Sequence, residues 1–234
     1  MTKPRRELVR TDKGQQTRAA ILDAALEMFL ERGYESTTMR AIADRAGVAL
    51  GNAYYYFRSK EHLIQAFYGR THAEHVKTCD SLLSGERDLK ARLLGVMQSK
   101  IATFEPYHQF AGKLFKTAAD PGSPLNPFSD ESDPVRQDSI AQFAGVVQGS
   151  STRVPKDLME QLPFMLWLYH MGIILFWIHD SSRNRVRTHR LIDRSVDIIV
   201  KLIGLASNPL MRPLRKSALR LMSELREDVS AIAS

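Results

Sequence analysis

The side chains best suited to chemistry lie together between residues 37 and 60, in the run TTMRAIADRAGVALGNAYYYFRSK. Its hydroxyl, amide, phenol and cationic groups are those that bind phosphate oxygens and base edges in DNA complexes. Ala43 is small enough for two short helices to cross closely, and Gly47 allows the sharp turn between them. The spacing therefore predicts a helix-turn-helix unit. Its small shared core would be formed by Ile42, Ala46, Val48 and Ala53.

A longer stretch, from residue 17 to about residue 67, resembles the DNA-binding domain of the TetR/AcrR family. The resemblance rests on the runs GYESTTMRAIADRAGV and YYYFRSKEHL and covers about the first quarter of the chain. The rest of the chain is similar to the family only in being helical. The resemblance implies a homodimer that docks its second and third helices on double-stranded DNA, with an inducer bound in the C-terminal domain.

Individual positions can be matched to that family one by one. Thr38 matches a capping residue that also contacts phosphate, and Lys60 matches a basic residue that clamps phosphate. The start of the recognition helix would face base edges, whereas its tyrosines would contact phosphates or thymine methyl groups. The resulting DNA-binding set is Thr38, Arg40, Leu50, Gly51, Asn52, Tyr54, Tyr55, Tyr56 and Lys60.

Some of these assignments have structural alternatives. Leu50 departs from the polar residues frequent at its position, so its contact would be apolar or absent. Tyr56 stands where His is common and is as compatible with burial as with contact. Arg40 is either a solvated helix charge or a phosphate ligand, since its long side chain reaches from the first turn of the second helix. Phe57 is expected in the core.

The chain begins with the basic segment MTKPRRELVRTDKG. It lacks the apolar run of a secretory signal. We expect residues 1–14 to form a flexible arm that follows the minor groove when DNA is bound. Its cations are Lys3, Arg5, Arg6, Arg10 and Lys13.

Apolar residues recur at three- and four-residue intervals along most of the chain, which predicts an all-α protein. Prolines in DPGSPLNPFSDESDP predict a loop. A three-helix DNA-binding domain would span residues 15–60, and a larger helical-bundle domain for ligand binding and dimerisation residues 61–207. A helix over residues 60–83 would connect them, and residues 208–234 would form a helical extension. The predicted helices cover residues 15–32, 38–46, 60–83, 87–104, 106–119, 135–148, 156–179, 188–207 and 214–232.

The larger domain contains two strongly apolar segments. The apolar stripe of residues 188–207 is too wide to be covered by one neighbouring helix, which predicts a dimer contact shared with residues 158–179. An inducer cavity for a hydrophobic or aromatic effector is a second expectation, although core packing is the better explanation for any single aromatic residue. The candidate lining residues are Phe104, Tyr107, His108, Phe110, Phe115, Met165, Tyr169, His170 and Trp177.

Composition limits the remaining possibilities. The net charge of +7 favours polyanionic partners. A single cysteine, Cys79, excludes an intrachain disulfide and a cysteine-based zinc cluster, and fits a reducing cytoplasm. His72 and His75 have the spacing of metal ligands but no evident third ligand, so we expect no metal and no cofactor. The segment 162–178 lacks charged residues but is shorter than a membrane-spanning helix needs, which favours a buried or interface helix.

These features predict a cytoplasmic, ligand-responsive transcriptional repressor. An enzyme is disfavoured because the sequence contains no phosphate-binding glycine loop, nucleophile elbow or metal motif. The alternative is a helical membrane-associated or protein-interaction module in which the helix-turn-helix resemblance is accidental. Salt-dependent binding to a palindromic duplex separates the two functions.

Overall fold

The computed structural model describes the backbone of residues 5–232 and the side chains of residues 12–221, 223 and 224. That part of the chain is helical and contains no strand. Three single turns of 3-10 helix, Glu105–Tyr107, Arg183–Arg185 and Pro209–Met211, join longer elements. The α-helices are α1 (Arg5–Arg32), α2 (Met39–Arg45), α3 (Leu50–Tyr56), α4 (Lys60–Leu83), α5 (Leu89–Phe104), α6 (His108–Ala118), α7 (Asp133–Gln148), α8 (Lys156–His179), α9 (Val186–Ala206) and α10 (Arg212–Ile232).

The N-terminal unit is formed by α1, α2, α3 and the first turns of α4. Gly33 ends α1 with a left-handed backbone, at φ +87°, which glycine adopts without strain. The buried Thr37 hydroxyl donates to the Gly33 carbonyl at 2.8 Å and fixes the path into α2. The core of this unit includes Ile21, Phe29, Ile42, Ala53, Phe57 and Leu63.

Helix α4 passes from this core into a second one. Ser59 caps α4, its hydroxyl accepting from the His62 amide at 3.5 Å. Leu63 and Phe67 belong to the first core, whereas Cys79 belongs to the second. This matches the expected connecting helix. The second core lies among α4, α5, α7, α8 and α9 and includes Leu93, Met97, Phe143, Trp177 and Val196.

The first helix begins at Arg5, ten residues before its predicted start. Residues 5–14 are therefore helical, and the expectation of an irregular arm over this stretch is wrong. The physical reason is composition, because six of the ten residues are Arg, Lys, Glu or Leu, which favour helices, and the chain has no proline between residues 5 and 105. Lys3 lies outside the described residues, as do the side chains of Arg5, Arg6 and Arg10.

Helix α8 is the central helix of the C-terminal domain. Within the described residues it is also the one helix long and apolar enough to cross a membrane by length and composition. In the fold it packs against α6, α7, α9 and α10, and Leu166, Trp167, Ile173 and Trp177 are buried. These contacts are those of a core helix in a globular domain.

Candidate nucleic-acid interface and effector cavity

The turn between α2 and α3 is built by local hydrogen bonds and one glycine. Thr38 caps α2, its exposed hydroxyl accepting from the Ala41 amide at 3.2 Å. Gly47 adopts φ +66°, and the Val48 amide then donates to the Ala43 carbonyl at 3.0 Å. Ala43 is fully buried at the crossing of the two helices. The steric roles predicted for the small residues are therefore confirmed.

Helix α3 has one anchored face and one free face. Ala53 is fully buried and fixes α3 to the core. Gly51 and Asn52 are exposed at the start of α3. Tyr54 is 47% exposed and Tyr55 is 80% exposed, although large apolar rings usually avoid water. The free face thus offers aromatic, amide and backbone groups on a rigid support.

Two further predicted contact residues are partly withdrawn from this face. Leu50 and Tyr56 are half-buried and pack against the N-terminal core. The Tyr56 ring also meets the Tyr55 ring edge-on at 5.1 Å. Phe57 is 2% exposed, as expected for a core residue. The structure therefore separates the free Asn52, Tyr54 and Tyr55 from neighbours that mainly pack.

Lys60 lies at the start of α4 and has a structural partner. Its Nζ donates to the Tyr34 carbonyl oxygen at 2.7 Å and lies 4.3 Å from the Tyr34 ring centroid. The Tyr34 hydroxyl in turn donates to Glu61 at 2.5 Å. An ammonium has three donors, so Lys60 can hold this loop and still bind a phosphate. Sequence reasoning missed Tyr34, although its position directly after the Gly33 cap was a signal.

The C-terminal domain contains an open cavity of about 430 Å³. Its walls come from α4, α5, α6, α7, α8 and the proline-rich loop between α6 and α7. Six of the nine predicted residues line it: Phe104, Tyr107, Phe110, Phe115, His170 and Trp177.

The other three predicted lining residues lie outside the cavity. His108 Nε2 donates to the Trp177 carbonyl at 2.8 Å and is held against α8. The Tyr169 hydroxyl lies 2.6 Å from Ser195 Oγ and therefore faces α9. Met165 is half-buried, outside both the cavity wall and the C-terminal core. These three assignments are wrong because helical periodicity alone does not say which neighbour a face meets.

Several lining residues escaped the sequence reasoning. Lys100 continues the buried stripe of α5, seven residues after Leu93, so periodicity did carry a signal for it. Leu125 is 1% exposed although it sits in a loop rich in Pro and Ser. The loop thus closes one side of the cavity. The further residues missed include Phe67, Tyr68, Phe128, Trp167, Met171 and Ile174.

The cavity and the DNA-binding unit share a wall. Phe110 lines the cavity, and on its other side its ring stacks on Phe29 of α1 at 5.7 Å with an interplanar angle of 2°. Leu114 and Leu125 also pack into the N-terminal core. Phe67 of α4 lies 4.7 Å from the Tyr107 ring. A molecule in the cavity would therefore touch residues that support the helix-turn-helix, whose helix α3 is called the reader below.

Among the described residues, no group of three or more His, Cys, Asp or Glu side chains is placed to hold a metal ion. His75 bonds to the Val96 carbonyl at 3.1 Å and lies 3.2 Å from the Cys79 sulfur. Burial lowers the pKa of His72 and of His75 to about 4, so both imidazoles are neutral at neutral pH.

A family model described as "Tetracyclin repressor-like, C-terminal domain" matches residues 92–224, more than half of the 234-residue chain. The chain belongs to the TetR family. A second model, "Bacterial regulatory proteins, tetR family", matches residues 21–67, which include the helix-turn-helix. The family resemblance and the helical fold are thus confirmed, and the chain is a TetR-family transcriptional regulator.

Curated relatives match this TetR-family chain in the DNA-binding region. The chain is 43% identical over 72 residues to the HTH-type transcriptional repressor KstR of Mycobacterium tuberculosis, which covers 30% of this chain and 33% of KstR. It is 41% identical over 64 residues to the HTH-type transcriptional regulator TtgR of Pseudomonas putida, covering 27% and 30%. The match thus spans about a third of the length of these relatives.

Solved structures share the fold over most of the chain. A TetR transcriptional regulator from Nitrosomonas europaea aligns with a TM-score of 0.61 at 18% identity, covering 77% of this chain and 96% of that one. FadR of Thermus thermophilus, a TetR-family repressor in complex with lauroyl-CoA, aligns with a TM-score of 0.59 at 19% identity, covering 76% and 92%.

Proposed function

We propose that this chain is a cytoplasmic repressor that binds a palindromic DNA operator as a homodimer and is released by a small hydrophobic or aromatic effector. The observation that carries the proposal is the free face of α3. Gly51, Asn52, Tyr54 and Tyr55 are exposed on a helix whose opposite face is fixed by the buried Ala53. Exposed aromatic and amide groups on a supported helix suit insertion into a major groove.

The DNA contacts divide into two classes. Thr38, Arg40, Tyr54, Tyr55 and Lys60 would bind phosphates and set the register of the protein on the duplex. Gly51 and Asn52 would read base edges, because an Asn side chain can bond two edge atoms of adenine at once. The half-buried Leu50 and Tyr56 would flank these readers with apolar contacts.

An unpartnered apolar face supports the homodimer. In α9, Ile192, Val196 and Ile203 are buried, whereas Ile198 is 56% exposed and Leu202 is 57% exposed. Leu205 of the same helix and Leu175 and Phe176 of neighbouring α8 are also exposed. A second copy that paired α8 and α9 into an intersubunit bundle would remove these side chains from water.

The relatives support repression as the direction of regulation and an effector with an acyl chain. KstR is named a repressor, and FadR of Thermus thermophilus is a repressor in complex with lauroyl-CoA. In this chain we place the effector in the cavity of the C-terminal domain. Its many aromatic and aliphatic walls suit an apolar molecule.

Occupation of the cavity would alter the distance between the two α3 helices, the readers of the proposed dimer. Helix α4 supplies Gln65, Phe67 and Tyr68 to the cavity and its first turns to the N-terminal core. A ligand that fits only one arrangement of α4 and α6 would select that arrangement. Because the readers of a dimer must match half-sites roughly 34–36 Å apart, a changed separation lowers operator affinity.

Selection of bound duplexes from a random pool, followed by sedimentation of the complex, tests this proposal. We expect enrichment of a palindrome and two protomers on each duplex. Tyr55→Ala should weaken binding to all sequences, whereas Asn52→Ala should change the preferred base at one position. Enrichment of no common sequence, or one protomer per duplex at saturation, would contradict it.

A further inference from the structure

The charged side chains that line the cavity all have one sign. Among its lining residues are two cationic side chains, Lys100 and Arg136, and no Asp or Glu. Most of the remaining wall is aromatic or aliphatic. An apolar cavity with cationic groups and no carboxylate favours a ligand that carries a negative charge.

Two polar lining residues are already satisfied by the protein. Arg136 forms an ion pair with Asp133 at 2.5 Å and donates to the Pro127 carbonyl at 2.7 Å. Gln65 donates to the Pro124 carbonyl at 2.6 Å. These groups hold the loop that closes the cavity, so most of their donors are engaged without a ligand.

Lys100 has no such partner. It is 7% exposed, and its Nζ lies 4.8 Å from the Phe104 ring centroid. In the part of the chain whose side chains are described, Lys100 takes part in no salt bridge, and its ammonium forms no hydrogen bond with the protein. Burial lowers the pKa of its ammonium to about 8, so the group is still mainly charged at neutral pH. A buried cation without a counter-charge destabilises the folded protein, and a bound anion would offset that loss of stability.

A second buried cation, Arg92, is hydrogen-bonded by the protein itself. Arg92 is 6% exposed and donates to the carbonyls of Val146, Glu86, Gly145 and Leu83 at 2.7 to 3.1 Å. Four of the five N–H donors of Arg92 are thus bonded to backbone carbonyls. Lys100 is equally buried but is left unpaired beside an open cavity.

His170 is the second unpartnered group of the wall. It is 7% exposed, and neither Nδ1 nor Nε2 has a hydrogen-bond partner. Burial, reinforced by the positive charge of Lys100, lowers the pKa of His170 well below its usual value. The imidazole is therefore neutral, and one of its ring nitrogens carries a proton that it can donate.

We propose that the effector is an apolar monocarboxylate whose carboxylate binds Lys100 and His170 while its hydrocarbon body lies among the aromatic walls. This inference rests on the proposed function of the cavity as the effector site. The ammonium supplies the charge-assisted bond and the neutral imidazole supplies a second donor. The Tyr68 hydroxyl adds a further neutral donor to the same wall, since burial raises its pKa to about 12.

Tryptophan fluorescence reports binding without DNA. The chain has two tryptophans, Trp167 and Trp177, and both line the cavity. Decanoate, decanol and decylamine share one tail and differ in the charge of the head group. We expect decanoate to change the emission at a concentration about tenfold lower than decanol, and decylamine to bind most weakly. Equal affinities for decanoate and decanol, or no response to any of the three, would overturn the proposal.

Lys100→Met removes the charge and keeps the length of the side chain. We expect it to abolish the preference for decanoate over decanol and to raise the melting temperature of the ligand-free protein, because an unpaired buried cation is lost. Lys113→Met, which changes an exposed lysine of α6 outside the cavity wall, should alter neither property. Retention of the preference in Lys100→Met, or a lower melting temperature in the absence of ligand, would contradict the anion site. Lys100→Arg retains the charge and should keep the preference, which tests the site independently of Lys100→Met folding.

The carboxylate site and the regulatory function can fail separately. The fluorescence preference tests the site alone, whereas the affinity of the selected duplex in saturating decanoate tests the coupling. Preferential binding of decanoate that leaves duplex affinity unchanged would contradict the proposed release from DNA but not the site. Release by decanol and decanoate at equal concentrations would contradict the site but not release.

Discussion

Arg40 and Lys60 are both cations proposed to bind phosphate, but their surroundings differ. Lys60 is half-buried and bonded to the Tyr34 carbonyl, so it also stabilises the loop before α2. Arg40 is exposed on α2. Removal of Lys60 therefore weakens both the loop before α2 and the phosphate contact. Removal of Arg40 changes the phosphate contact alone.

Arg40→Ala should weaken binding to every duplex by a similar factor and reduce the slope of log affinity against log salt by about 1. The reason is that one phosphate contact fewer releases fewer counterions. Fluorescence anisotropy over a range of salt concentrations measures the slope. Lys113→Ala is the control and should leave it unchanged. A loss confined to one duplex sequence would show that Arg40 reads a base.

Asp180 illustrates how a single carboxylate stabilises the domain. It is 4% exposed and accepts from the Thr188 amide at 2.9 Å and the Thr188 hydroxyl at 2.7 Å, at the start of α9. Burial opposes its ionisation, but hydrogen bonds from Ser182 and Thr188 outweigh burial and hold the pKa of Asp180 well below its usual value.

Because the pKa is lower in the folded state, ionised Asp180 stabilises the fold above the unfolded pKa, and this contribution is lost as the pH falls toward the folded pKa. Asp180→Asn should lower the free energy of unfolding by about 1–2 kcal/mol at neutral pH, and the difference from wild type should shrink below about pH 4. Urea unfolding at several pH values measures this. Asp130→Asn, at an exposed position, is the control. A difference that is independent of pH would refute the assignment.

At the scale of elements, Arg92 holds helix ends together. Its guanidinium joins the carbonyls that end α4 to those near the end of α7. Gly149 follows α7, and a Cβ there would fall on that guanidinium. The glycine is thus required by close approach and not by its backbone angles, since its φ is −75°.

Gly149→Ala should therefore lower the free energy of unfolding by about 1–3 kcal/mol, because Arg92 must give up some of its hydrogen bonds. Gly145→Ala is a matched control one turn earlier, where an added Cβ meets nothing within 4 Å. That change should instead stabilise by about 0.5–1 kcal/mol. Thermal or urea unfolding of the two variants distinguishes them, and equal effects would contradict the role given to Arg92.

The elements could largely be predicted from sequence because their ends carry local signals. Gly33, Thr38 and Ser59 end or begin helices where the sequence indicated. The start of α1 was missed because a cluster of cations was interpreted as an arm, although Arg is a good helix former. Lys100 was missed because a charged residue on an apolar stripe is easily read as exposed.

At the scale of the whole molecule, tertiary neighbours decide what local patterns cannot. Nothing near Phe29 indicates that Phe110, far along the chain, stacks on it. The same holds for His108 and Tyr169, whose partners lie on α8 and α9. The helix-turn-helix is local and was therefore predictable, whereas the shape of the cavity and its link to the reader require the fold.

The proposed dimer makes a prediction at this scale. Leu202→Glu places a charge on the exposed apolar face of α9 and should convert the protein to a monomer with operator affinity lower by about tenfold or more. Sedimentation equilibrium measures the mass. Leu82→Glu, at a comparably exposed leucine near the end of α4, should remain dimeric. A dimeric Leu202→Glu protein would place the interface elsewhere.

The central claim is that the exposed face of α3 reads DNA sequence. Its most direct test is the dissociation constant for the selected palindrome and for a scrambled duplex of the same length, each measured as salt is raised. We predict that the palindrome binds tighter by a factor on the order of 10³ or more, and that both affinities fall with salt. Equal affinity for the two duplexes, or binding that does not respond to salt, would contradict the account.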